Sequence, residues 1–210
     1  MDNIGGLFIS FLFSFGLLII AVVVHEFAHG WVAYKFGDTT AKYSGRLTLN
    51  PLAHMDPLWT FLLPLFLFMT TGGQFVFGAA KPVPINYTAL RNPKRDIIWI
   101  GVSGPLVNFI FAFILSIMLR FIHLPLRVNF IVENLIIINV VLGVFNLIPI
   151  PPLDGSRVLM GLLPQDLSAK YALIEPYGFT IIILLLWLGV FGRIIWPTVN
   201  FILRLLGVFP

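Results

Sequence analysis

The sequence predicts an all-α integral membrane protein, a polytopic bundle of about four to six transmembrane helices with a short re-entrant or β-hairpin-like segment after the first. Three observations carry this. Of the 210 residues 59% are hydrophobic and only 10% charged, where an ordinary soluble domain has about a quarter charged. Mean hydropathy is +0.98. The apolar residues also fall into separate runs close to the roughly 20 residues a helix needs to cross a bilayer.

The elements follow in order. Leu7–Tyr34 supplies the first span, Ile97–Leu119 the second, Ile131–Ile150 the third, and Phe179–Trp196 a fourth that Pro197 should end. Met1-Asp2-Asn3 lacks the basic start of a signal peptide, and the apolar run continues past the length of one, so the first helix is expected to be retained. Residues 58–79 are apolar but interrupted by Pro64, Thr70, Thr71, Gly72 and Gly73, which suits a re-entrant or interfacial element better than a span. The C-terminal "PTVNFILRLLGVFP" reads as an interfacial amphipathic helix or a partial span. The whole chain, 1–210, is expected to be one membrane-embedded domain, with a core at about 7–160 and C-terminal helices from 161.

Basic residues test the topology. If residues 58–79 do not cross, Lys35, Lys42, Arg46, Lys81, Arg91, Lys94, Arg95, Arg157 and Lys170 share one side, nine against the four of Arg120, Arg127, Arg193 and Arg204. If they do cross, the split is seven against six and the bias disappears. The positive-inside rule therefore favours a non-crossing segment with the nine on the cytoplasmic side. Scattered in this way, the basic residues read as topology determinants and not as a nucleic-acid surface. The absence of cysteine excludes disulfides, thiolate metal sites and cysteine nucleophiles.

Charge inside such a chain is costly and points to function. His25-Glu26-Phe27-Ala28-His29 is H-E-x-x-H, near the inner end of the first span. On a helix the two histidines, four apart, share a face and can bind one Zn²⁺, with Glu26 beside the metal's water as its base. A catalytic zinc takes a third protein ligand. His54, Asp56 and Asp154 are available. The topology selects Asp154, because the charge bias puts the end of the third span on the same side as His25. Pro149, Pro151 and Pro152 also break the helix there, and such backbone sits at membrane depth only beside protein or water. His54 and Asp56 are then loop residues or partners of the ligating histidines. Gly101-Val102-Ser103-Gly104 offers a competing reading, a rhomboid-like serine protease using Ser103. It lacks a suitable base, since the one histidine further along is His123, after the same span. A zinc-binding scaffold or transporter is the non-enzymatic alternative. A transporter would need polar residues along several helices, and a scaffold would not need Glu26.

With these motifs in hand, the chain resembles the site-2 protease family of intramembrane zinc metalloproteases. The likeness rests on His25-Glu26-x-x-His29, on Asn146 through Leu153-Asp154-Gly155, and on Gly104-Pro105-Leu106-Val107-Asn108. It implies one zinc held by His25, His29 and Asp154, water activated by Glu26, and Asn146 placed near the metal to hold an oxyanion or position substrate. Asn108 is implied, less directly, in seating substrate. The stretch "GGQFVFGAAKPVPIN" corresponds to a loop proposed in the family to receive unwound substrate by strand addition. The implied partners are transmembrane protein substrates in a lipid bilayer, with an unidentified gating or adaptor partner allowed. Between the second and third spans there is no room for a PDZ domain, and no nucleotide-binding domain is expected. That compact form suits a prokaryotic plasma membrane, with the active site towards the cytoplasm.

Overall fold

A computed structural model describes residues 4–71 and 80–208. Among the described residues four helices are long and apolar enough to cross a membrane: Ile4–Lys35, Pro93–Phe121, Leu126–Asn146 and a broken fourth over 165–187. No strand forms among the described residues. The first three pack on one another. The second and third spans and the C-terminal helix Val190–Leu206 then enclose a core of Ala112, Val132, Ile136, Val140, Val199 and Leu203. Around it the large apolar side chains are outward-facing, among them Ile9, Phe66, Phe113, Phe121 and Trp187. An aqueous surface would penalise this arrangement and lipid does not.

The ambiguous segment resolves into a six-residue π-helical stretch, Pro57–Leu62, continued by the α-helix Leu63–Thr71. Asp56 starts it, its Oδ1 accepting from the N–H groups of Leu58 and Trp59 at 2.9 and 3.0 Å. The helix runs antiparallel along the first span. Phe61 packs edge-on to Phe15, and Phe68 lies against Phe11 and Phe8. At 1.5 Å of rise per residue, Phe11 is about 20 Å along that helix from His25. Yet the chain comes back: Lys81 N–H donates to His54 O at 2.9 Å, and Arg91 N–H donates to Phe36 O at 3.1 Å. The described ends of this segment therefore leave and rejoin the bundle at one level, as a re-entrant element does. The first half of the expected β-hairpin, residues 72–79, lies outside the described residues. Its second half, 80–86, is extended but unpaired as a strand.

Two boundaries differ from expectation. The third span begins at Leu126 and ends at Asn146, four residues before Ile150, because the following prolines impose turns. The fourth span does not end at Pro197. It breaks at Gly189, whose φ of +67° is left-handed, and Pro197 sits inside Val190–Leu206. A glycine adopts that conformation without Cβ strain. An internal proline costs one backbone bond, and here its helix is supported by Val199 and Leu203, both fully buried. The C-terminal segment is thus a packed part of the bundle, with Val199 and Leu203 in its core.

Candidate active site

The site forms where the inner end of the first span meets the start of the second. His25 and His29 are buried, 5% and 6% exposed. His29 Nδ1 lies 2.7 Å from Ile100 O, an oxygen that can only accept, so Nδ1 carries the proton. His25 Nδ1 lies 2.6 Å from Asn108 Oδ1. The Asn108 amide nitrogen donates to Asn139 Oδ1 at 2.7 Å and to Ala21 O at 3.3 Å, so its oxygen is the acceptor and His25 is again protonated at Nδ1. Each ring therefore turns an Nε2 lone pair into the site.

Asp154 completes the group. It opens the helix Asp154–Leu162 after the turns through Pro149 and Pro151. Its Oδ2 is 3.0 Å from His25 Nε2, its Oδ1 is 3.2 Å from His29 Nε2, and the two Nε2 atoms are 3.0 Å apart. Asp154 Oδ2 is buried and lacks a hydrogen-bond donor. Two imidazole lone pairs and a carboxylate this close require positive charge between them. A proton bridges two atoms, whereas a metal ion serves all three. Separations of 3.0–3.2 Å also suit ligands sharing an ion at the 2.0–2.2 Å typical of zinc to nitrogen or carboxylate. The residues present fit the metal.

Glycines allow the approach. A Cβ on Gly104 would strike His29 Nε2 and come within 2.6 Å of His25 Nε2. On Gly101 it would meet Asp154 O at 3.0 Å, and on Gly155 it would collide with the Leu147 and Ile148 carbonyls. The sequence presents Gly101 and Gly104 only as small residues for helix packing. Their closeness to the ligating atoms depends on how the second span is rotated.

Glu26 meets the extended segment, its Oε2 accepting from Val83 N–H at 2.7 Å. Pro82 and Pro84 carry no N–H, and those of Lys81 and Asn86 go to His54 O and Asp38 Oδ2. The described part of this segment therefore offers few free donors for the strand addition expected of it. Glu26 and His25 border a cavity of about 540 Å³ that is also lined by Val22, His54, Leu142 and Asn146. Asn146 lies there with its amide donating to Leu142 O at 3.0 Å.

Three sets of candidate residues find other partners in the structure. Asn108 is fully buried and its amide is engaged by His25, Ala21 and Asn139, so it supports a histidine where it was expected to seat substrate. His54 and Asp56 are not the partners of the ligating histidines. His54 Nε2–H donates to Thr48 O at 2.8 Å, and Asp56 caps the re-entrant helix. Asn108 and Ile100 O take that place. Ser103 cannot use His29 as a base, because its hydroxyl donates to Ile100 O at 2.7 Å and the adjacent Nδ1 already holds a proton for the same oxygen.

Fold and site define an integral membrane metalloprotease of the H-E-x-x-H type. Comparison with known proteins gives the family. The model of Peptidase family M50 matches residues 12–125 and 124–188. "Putative zinc metalloprotease YwhC" of Bacillus subtilis is 37% identical over 192 residues, covering 87% of this chain and 84% of its own. "Putative zinc metalloprotease Rip2" of Mycolicibacterium smegmatis is 31% identical, over 80% of this chain and 64% of its own. "Zinc metalloprotease MJ0392" of Methanocaldococcus jannaschii is 30% identical, over 77% of this chain and 36% of its own. No solved structure matches. The chain belongs to Peptidase family M50, the site-2 proteases, and is a zinc metalloprotease.

Proposed function

We propose that this protease hydrolyses peptide bonds within transmembrane segments of other membrane proteins, using one zinc held by His25, His29 and Asp154. The observation that carries the reading is the meeting, inside a helical membrane bundle, of two imidazole Nε2 atoms 3.0 Å apart with a carboxylate whose oxygens lie 3.0 and 3.2 Å from them. When bound, zinc lowers the pKa of its water towards 7 and polarises the carbonyl to be attacked. The Glu26 carboxylate takes the proton of the attacking water and returns it to the leaving amine, a role worth about 10²–10⁴-fold in rate. Val83 N–H restrains one carboxylate oxygen while the group borders the cavity. Asn146, which lines the same cavity, supplies an amide donor for the developing oxyanion. Substrate enters from the bilayer and must be unwound before its peptide bonds are accessible. The basic-residue bias supports a site opening towards the cytoplasmic face of a prokaryotic plasma membrane.

Cleavage of a single-pass protein in liposomes tests this, with zinc content measured for every sample. Glu26→Gln should retain zinc and lose cleavage by at least about 10²-fold. His29→Ala and Asp154→Ala should lose both. Cut sites should map inside the hydrophobic stretch. Cuts confined to water-exposed loops would overturn the intramembrane reading, and an Asp154→Ala protein with full zinc would overturn the ligand set.

A further inference from the structure

The third span carries one polar residue deep in the bundle that neither the motif nor the cavity uses. Asn139 is fully buried, as is Asn108 beside it. Its amide nitrogen donates to Leu135 O, one turn back on its own helix, at 2.8 Å. Its Oδ1 accepts from Asn108 Nδ2 at 2.7 Å, and Asn108 Oδ1 accepts from His25 Nδ1–H at 2.6 Å. The chain of bonds has one direction only. Leu135 O cannot donate, so the Asn139 amide cannot flip. Asn108 must then present nitrogen to Asn139 and oxygen to His25, which keeps the proton on Nδ1 and the lone pair on Nε2.

We propose that Asn139 is a positioning residue for the zinc site, setting the tautomer and orientation of His25 through Asn108. The inference rests on the zinc-protease reading of the site. It accounts for two amides at zero exposure between apolar helices, where an unsatisfied amide is costly and a fully bonded pair is not. It also lets the third span, which supplies no ligand of its own, support the metal held by the first.

The test is the zinc dissociation constant, measured by chelator competition on purified, folded protein. Asn139→Leu keeps the size and loses both bonds. It should weaken zinc by about 10–100-fold, the usual cost of losing a ligand's supporting partner. In an Asn108→Ala background the same change should add less than about twofold, because the link to His25 is already cut. Asn139→Asp, neutral when buried, can still accept from Asn108 and donate to Leu135 O, and should bind zinc nearly as tightly as wild type. Equal weakening with and without Asn108 would mean Asn139 acts through packing, which overturns the proposal. So would wild-type affinity in Asn139→Leu, or an Asn139→Asp variant as weak as the leucine one. Asn139→Asp against wild type decides the matter alone if the leucine variant does not fold. His29→Ala is the separate control. If it binds zinc normally, the metal-site reading has failed instead.

Discussion

At the scale of single residues, Gly104 is as constrained as the ligands it faces. Its missing side chain is what lets the second span press against both imidazoles. Gly104→Ala should therefore cost zinc affinity at least as much as loss of a supporting partner, about 10–100-fold, while leaving the helix intact, since alanine is the better helix former. Helix content by circular dichroism with a parallel zinc titration would show this. Unchanged affinity would mean the second span can draw back from the site. Glu26 and Val83 form a second pair of this kind. Val83→Pro removes the N–H that restrains the carboxylate, and it also replaces a buried side chain. It should lower the cleavage rate about tenfold or more at unchanged zinc content, whereas Val83→Leu, which keeps the N–H, should lower it less.

Among the elements, the Asp154 helix is the least self-sufficient. It has only nine residues, and it delivers its ligand by lying flat on the second span. Gly101 and Gly161 make the two contact points: a Cβ on Gly161 would meet Lys94 O at 2.8 Å and press into Ile98. Gly161→Leu should lift this helix and move Asp154 away from the histidines. The expected result is a lower zinc occupancy together with a lower thermal midpoint, read on one purified sample. A lower midpoint with full occupancy would show that Asp154 is held by its own turn and not by the helix behind it. Arg157 adds a tie on the exposed side, pairing with Glu175 and lying 5.8 Å from the Tyr87 ring.

For the molecule as a whole, the re-entrant element is the feature with the clearest consequence. Because the ends at His54 and Lys81 are bonded to each other, Lys42 and Lys81 are expected on one face of the membrane and Arg127 on the other. The chain has no cysteine of its own, so single-cysteine variants have no background. Lys42→Cys and Lys81→Cys should react with an impermeant thiol reagent from the same side of sealed vesicles, and Arg127→Cys only from the opposite side. Labelling of Lys42→Cys and Lys81→Cys from opposite sides would mean that residues 58–79 cross after all.

The sequence by itself determined the membrane class, three of the four spans to within a few residues, and the spacing that puts His25 and His29 on one helix face. These follow from composition and from periodicity within one helix, which need no knowledge of neighbours. It also pointed to Asp154, because prolines that end a span leave a carboxylate where lipid would not tolerate one alone. Tertiary structure decided which residues stand behind the ligands. Spans apolar on every side carry no stripe to say how they are rotated, so nothing in the sequence could show that Gly104 faces the imidazoles or that Asn108 bonds to His25. The break at Gly189 instead of Pro197 was decided in the same way, by the packing of Val199 and Leu203 against the third span. That His54 and Asp56 do not support the ligating histidines followed from a fold-back whose two bonded ends are 27 residues apart, His54 and Lys81. A bond across that distance is set by the assembled bundle and has no local signature.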